Sequence, residues 1–264
     1  LMDDAFTRLG QEGDRSRLDA LRLDYLAALN DRELPFGSPI AQLMRDALRP
    51  MSRHLETKPA IWDRLKASIR EQIHMQARSA SISASKLSLD RYLALRRVEG
   101  YGDWITMLIE YAIDVDMEQP LRTDPSLVKV RASTIDSVIL VNDLYSFRKE
   151  ALGREALNAA WILMREHGID AAAALVRLGE LCERNEHKLV GAMARVLDGA
   201  LGNRPDVRAY VKELGHMSAG NAEFHAFSVR YRPDEAGEEE PLRTGRSIPP
   251  RRDGSADRQQ HPRA

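Results

Sequence analysis

Apolar residues recur along most of this chain at intervals of three and four, and the strict alternation of a half-buried strand is scarce. In "SRLDALRLDYLAAL", Leu18, Leu21, Tyr25, Leu26 and Leu29 share one helix face, and "DRELPFGSP" ends the run with Pro and Gly. The same period predicts helices over about 39–55 and from 59 into "IREQIHMQARSA". "SASKLSLDRYLALRRVEGYGDWITMLIEYAID" predicts one long helix with a fault in its middle, because Gly100 and Gly102 each cost a helix interior about 1 kcal/mol relative to Ala. Pro120 and Pro125 separate that unit from "SLVKVRASTIDSVILVNDLYSFRKE", whose first two thirds are apolar enough to lie deep in a core. Further helices are expected over about 154–167, 170–198 and 205–227. Residues 234–264 are polar, rich in Pro, Gly and Arg and nearly free of large apolar groups, so a disordered tail is expected there.

Composition adds limits. At 43% hydrophobic and 30% charged residues, the 264-residue chain has the makings of a globular domain with a sizeable core. Its 39 Lys and Arg nearly cancel 40 Asp and Glu, so no global field favours nucleic acid or an anionic membrane, and anion recognition has to be local. No apolar run approaches the ~20 residues a membrane span needs. The single cysteine, Cys182, excludes an intrachain disulfide and a Cys-based zinc site; it suits a reducing compartment, so a cytoplasmic location is expected. The seven histidines are scattered without ligand spacing and are expected to be structural or exposed.

The chemistry concentrates in "NDLYSFRKE". Asn142, Ser146 and Glu150 fall at i, i+4 and i+8, on one stripe of a helix with neighbouring side chains about 6 Å apart. An amide oxygen, a hydroxyl and one carboxylate make a weakly charged, open set of oxygen donors. Such a set suits Mg²⁺, which fills its octahedron with waters and substrate phosphates. The alternative is an ordinary amphipathic helix end with Glu150 paired to Arg148 or Arg154; the apolar segment ahead of it argues against a solvated helix.

At these residues the sequence resembles the class I terpene synthases, in particular the bacterial terpene cyclases of secondary metabolism. Their second metal motif has Asn or Asp, Ser or Thr four residues on, and Glu four further, with a basic residue just before the Glu. Asn142, Ser146, Glu150 and Lys149 match it. "GNAEFHAFSVRYRP" resembles their C-terminal Arg-Tyr segment, which grips the substrate diphosphate and here is Arg230 and Tyr231; Phe224 stands where the family often has Trp. Arg96 lies 46 residues before Asn142, the place of the family's diphosphate-sensing arginine. Glu99 and Gly100 then match its acidic linker and its effector at the helix break. A plain salt bridge from Arg96 to Glu99 or Glu110 is the alternative there. In "DDAFTRLGQEGD", Asp3 and Asp4 match the leading pair of the first metal motif, with Thr7 where a third acid is common.

The resemblance implies an all-α antiparallel helical bundle around a central apolar cavity, and a catalytic domain over 1–233 that lacks the family's leading helices. It implies that Asp3, Asp4, Asn142, Ser146 and Glu150 hold Mg²⁺, three ions in all, together with the substrate. Arg96, Lys149, Arg230 and Tyr231 would grip the diphosphate, and Gly100 would move against the substrate. The activity implied is ionisation and cyclisation of an acyclic prenyl diphosphate, farnesyl before geranylgeranyl. The partner is a small molecule, with no nucleic acid or membrane, and a homodimer is compatible with the resemblance. A chain-elongating prenyltransferase would need a second Asp-rich run in place of "NDLYSFRKE". The non-enzymatic alternative is an all-α ligand- or partner-binding domain derived from a terpene synthase.

Overall fold

The computed structural model describes residues 2–79, 87–100, 102–152 and 157–231, without the side chains of residues 2–4, 7, 11, 79, 102 and 152. Among the described residues there are α-helices and short 3-10 turns and no strand. The helices are α1 (Met2–Glu12), α2 (Arg15–Leu29), α3 (Pro39–His54), α4 (Pro59–Ser79), α5 (Leu89–Glu99), α6 (Gly102–Ala112), α7 (Glu118–Thr123), α8 (Pro125–Leu152), α9 (Ala159–His167), α10 (Ala171–Asp198) and α11 (Pro205–Phe227). Side chains of Asp14, Ser38, Ser88, Asn158 and Asp170 accept backbone N–H groups at the starts of α2, α3, α5, α9 and α10, satisfying donors that a helix start leaves without partners. Gly168, at φ 62°, closes α9 in the left-handed conformation that glycine adopts without penalty.

Burial sorts the helices around α8. Leu127, Val130, Ile135, Ile139, Leu140 and Val141 of α8 are all buried, as the apolar start of that segment required. On one side they join Tyr92, Ile162, Leu163 and Leu178 of α5, α9 and α10; on the other they join Leu189, Val196, Tyr210 and Leu214 of α10 and α11. A further core, around Phe6, Tyr25, Leu65 and Ile73, ties α1 and α2 to α4. Burying such side chains is worth roughly 1.5–3 kcal/mol each, which fixes α8 as the spine on which any site is mounted. Two ion pairs lock neighbours onto it: Arg97 of α5 on Asp136 with two 2.7 Å contacts, and Arg131 on Asp103 of α6 at 3.3 Å.

Three expectations change. The chain's first residues form a helix, α1, where the sequence reading assigned none, and α7 is a short helix that contains Pro120 and ends before Pro125. The helix expected from about 154 starts at Ala159, because Asn158 caps it. The tail expected over 234–264 lies outside the described residues. Cys182 packs against the core that α8 shares with α5, α9 and α10, where burial pushes its thiol up to about 11, as befits a small core residue rather than a reactive thiolate.

Buried Asp24 of α2 accepts the backbone N–H groups of Phe36 (2.8 Å) and Ser38 (2.7 Å), pinning the connection into α3. Asp24→Ala would strand both donors, so urea unfolding is expected to show a loss of about 2–3 kcal/mol.

Candidate active site

Asn142, Ser146 and Glu150 lie in the last turns of α8. Asn142 and Glu150 are half-buried and Ser146 is only 3% exposed. The Ser146 hydroxyl is buried and finds no hydrogen-bond partner among the described residues. A buried polar atom without a partner ordinarily costs about 1–3 kcal/mol, and this one lies between two other oxygen-bearing side chains, where a bound ligand could satisfy it. Lys149 is half-buried on the same helix.

The C-terminal segment folds back onto this stripe. After α11 the chain makes a 3-10 turn, Val229–Tyr231, that places the Tyr231 hydroxyl where it accepts a hydrogen bond from Asn142 Nδ2 at 3.2 Å. Residues 89 apart in sequence, singled out for separate reasons, thus meet. Burial holds the Tyr231 phenol above its ordinary pKa and Glu150 adds to the shift, against the pull of Arg230. Arg230 is exposed, with its guanidinium 6.0 Å from the Tyr231 ring centroid. Beside them lies a residue that sequence reasoning passed over. His225 of α11 is buried, stacks on Tyr231 with ring centroids 4.7 Å apart, and has Nε2 3.1 Å from Asn142 Nδ2. Burial lowers its pKa. His225 is structural, as expected of the histidines, but it sits directly against two residues singled out from the sequence.

The helix fault is present between α5 and α6. Gly100 ends α5, and a Cβ there would come within 2.9 Å of the Arg96 carbonyl oxygen and 3.5 Å of the Arg96 guanidinium carbon. The crowding is with the carbonyl; the approach to the guanidinium would be ordinary van der Waals contact. The Arg96 guanidinium pairs with Glu99 at 2.9 Å, both side chains nearly buried. Glu110 is not its partner, being held instead by Arg64 (2.8 Å) and the Met117 N–H (2.9 Å). A continuous helix would bond the Glu99 carbonyl to the amide four residues on. The break releases that oxygen, and the buried amides of Gln72 and Gln76 on α4 donate to it at 3.1 and 3.3 Å.

A buried network joins the break to the stripe of Asn142, Ser146 and Glu150. Tyr92, one turn before Arg96, donates its hydroxyl to Asp143 Oδ2 at 2.5 Å, and the Ala159 N–H donates to the same oxygen at 2.9 Å. Burial pushes the Asp143 carboxyl up to about 7; Arg96 opposes this most, followed by the Tyr92 bond, and Glu150 adds to it. Asn158, besides capping α9 through the Ala160 N–H (2.8 Å), donates at 2.9 Å to both the Asp143 carbonyl and Glu150 Oε2. Glu150 is therefore tethered by Asn158, and Arg154 lies outside the described residues. Asn158→Ala removes the cap and the tether together: a stability loss of about 1–2 kcal/mol in urea unfolding is expected, with weaker magnesium-dependent binding of pyrophosphate.

The remaining site residues fall differently. α1 carries Asp3 and Asp4 and packs on α2 and α4, but the side chains of Asp3, Asp4 and Thr7 lie outside the described residues. Among the described residues no three His, Cys, Asp or Glu side chains gather to hold a metal. An ion on α8 would take amide and hydroxyl oxygens along with the Glu150 carboxylate, and the partnerless Ser146 hydroxyl fits that role. Trp62 and Trp104 pack against the α2–α4 core and Trp161 against Phe147 at 5.1 Å, which makes them packing residues. No helix among the described residues is long and apolar enough to cross a membrane.

The comparisons with known proteins bear on this geometry. The family model described as terpene synthase family 2, C-terminal metal binding, matches residues 1–188. The chain belongs to that terpene synthase family. It is 26% identical over 238 residues to viridiflorene synthase Agr2 of Cyclocybe aegerita, covering 85% of this chain and 59% of that protein. Over 54% of this chain and 40% of the relative it is 30% identical to sesquiterpene synthase Agr8 of the same organism. A Coprinopsis cinerea relative named linoleate 10R-lipoxygenase COP4 is 29% identical over 55% of this chain and 42% of its own length. The chain thus spans between 40% and 59% of the length of these relatives. Among solved structures, germacradien-4-ol synthase from Streptomyces citricolor superposes with a TM-score of 0.72 at 17% identity, covering 85% of this chain and 73% of that one. At that identity the match speaks for the terpene synthase fold: an all-α bundle, as the helical periodicity predicted.

Within that family frame, the residues missed by sequence reasoning did leave partial signals. Asn158 stands directly before "AAWILM", an N-cap pattern. Tyr92 precedes Arg96 by four residues and so shares its helix face. His225 left none, because what matters about it is a contact across 83 residues.

Proposed function

We propose that this terpene synthase chain carries the catalytic site of a magnesium-dependent cyclase acting on an acyclic prenyl diphosphate, farnesyl diphosphate first. The observation that supports the proposal is the hydrogen bond from Asn142 to Tyr231, two residues whose sequence patterns resemble a metal motif and a diphosphate-gripping segment. The name of Agr8, a sesquiterpene synthase, supports the fifteen-carbon substrate.

Asn142 Oδ1, Ser146 Oγ and Glu150 would hold metal at the end of α8, with Asp3 and Asp4 supplying the opposite rim, three ions in all. When bound, Mg²⁺ supplies positive charge that neutralises the departing diphosphate. Arg230, Tyr231, Lys149 and Arg96 donate to the diphosphate oxygens, where negative charge grows as the allylic C–O bond breaks and its electron pair leaves with the oxygen. Arg96 reaches the diphosphate from beside the helix break, so its movement would carry Gly100 toward the substrate. Apolar side chains of the bundle exclude water and fold the allylic cation, which cyclises and is quenched by loss of a proton or addition of water.

The test is incubation of the purified chain with geranyl, farnesyl or geranylgeranyl diphosphate and Mg²⁺, followed by mass analysis of volatile products. A cyclic fifteen-carbon product that disappears when the metal is chelated is expected. No product from any of the three, together with no magnesium-dependent stabilisation by pyrophosphate, would leave the non-catalytic binding domain as the answer.

A further inference from the structure

Both hydrogens of the Asn142 amide nitrogen have acceptors, one at His225 Nε2 (3.1 Å) and one at the Tyr231 hydroxyl (3.2 Å). Which way round an amide sits is settled by its neighbours' chemistry. Here the neighbour's chemistry is fixed from the other side. His225 Nδ1 lies 2.8 Å from the Asn221 carbonyl oxygen, one turn earlier in α11. A carbonyl only accepts, so Nδ1 carries the ring proton, and in the neutral ring Nε2 is then a bare acceptor. Turning the Asn142 amide over would set Oδ1 against Nε2, two acceptors with no proton between them.

We propose that His225 is a positioning residue: through the tautomer imposed by Asn221, it holds the Asn142 amide nitrogen and so leaves Oδ1 as the atom available to a cation. Imidazoles and carboxylates that orient ligands in this way commonly matter to metal affinity nearly as much as the ligands do. The ring does a second thing. Its stack on Tyr231 (4.7 Å, interplanar angle 19°) sets the phenol beside the same amide, so one side chain of α11 aligns a metal donor from α8 and a diphosphate donor from the C-terminal turn. This inference rests on the proposal that Asn142 is a metal ligand.

Two variants separate the acceptor from the ring. His225→Phe keeps an aromatic face for Tyr231 and removes the acceptor; His225→Gln restores an acceptor near Nε2 and removes the ring. The readout is the thermal shift of the full chain with inorganic pyrophosphate and Mg²⁺, titrated in both. His225→Phe is expected to keep the metal-free melting temperature and to weaken magnesium-dependent pyrophosphate binding about 10- to 100-fold. His225→Gln should recover most of that loss. Equal binding by wild type and His225→Phe, or equal loss in both variants, would overturn the inference while leaving the metal site standing. A wild-type chain with no magnesium-dependent shift would remove the metal site and the inference with it. Should His225→Phe fail to fold, ¹⁵N NMR of the wild-type imidazole decides: protonated Nδ1 with bare Nε2 is expected, and a proton on Nε2 overturns the inference.

Discussion

Glu150→Ala and Asn142→Ala are each expected to lower release of diphosphate from the prenyl substrate by about three orders of magnitude, roughly 4 kcal/mol of transition-state stabilisation. Helical circular dichroism should be unchanged. The two halves of that expectation come from different features of the site. Glu150 and Asn142 are half-buried at the end of α8, past the apolar stretch that anchors the helix, and their recorded contacts are with Asn158, His225 and Tyr231 rather than with the core. Their removal therefore spares the core. On the proposed function, what is lost is charge and oxygen donors beside the departing group, where little else can replace them. Full turnover by both variants, measured as diphosphate released under saturating substrate, would remove the metal assignment.

Arg96→Met should damage stability and turnover together. The guanidinium is nearly buried against Glu99, and its charge also opposes the burial of Asp143. Removing one partner of a nearly buried ion pair is expected to cost about 3–5 kcal/mol. Turnover is expected to fall by about 10²–10³. The double variant Arg96→Met/Glu99→Leu distinguishes the two roles, because an apolar pair can replace a buried ion pair with little net loss. Recovery of unfolding free energy in urea to within about 1 kcal/mol of wild type, with turnover still absent, would assign Arg96 to the substrate. Recovery of turnover along with stability would make the pair purely structural.

The residues proposed for the site could be named because the family writes them as spacing along single helices. The stripe Asn142, Ser146 and Glu150, and the group Arg96, Glu99 and Gly100, each depend on one helix and a fixed period, which a sequence displays directly. The break between α5 and α6 could be seen for the same reason, since two glycines so close cannot sit quietly inside a helix. What holds these groups in place was not legible. Gln72 and Gln76 look like polar residues on an amphipathic helix until the break exposes a carbonyl for them to take. Tyr92, Asp143, Asn158 and Glu150 form a network across three helices, and its partners are chosen by packing between α5, α8 and α9. The start of α9 was misplaced by about five residues for a related reason: helical periodicity sets the face, whereas the cap at Asn158 sets the end.

In the proposed function, oxygen donors from α1 and α8 converge on one leaving group. A crystal structure of the chain with Mg²⁺ and inorganic pyrophosphate tests this most directly. The prediction is a metal ion about 2.1 Å from Asn142 Oδ1, Ser146 Oγ and a Glu150 carboxylate oxygen. Arg230 and Tyr231 should lie on the pyrophosphate, and the Asp3 carboxylate should bridge ions on its far side. Metal bound away from α8, or an Asp3 carboxylate directed out of the bundle, would contradict it.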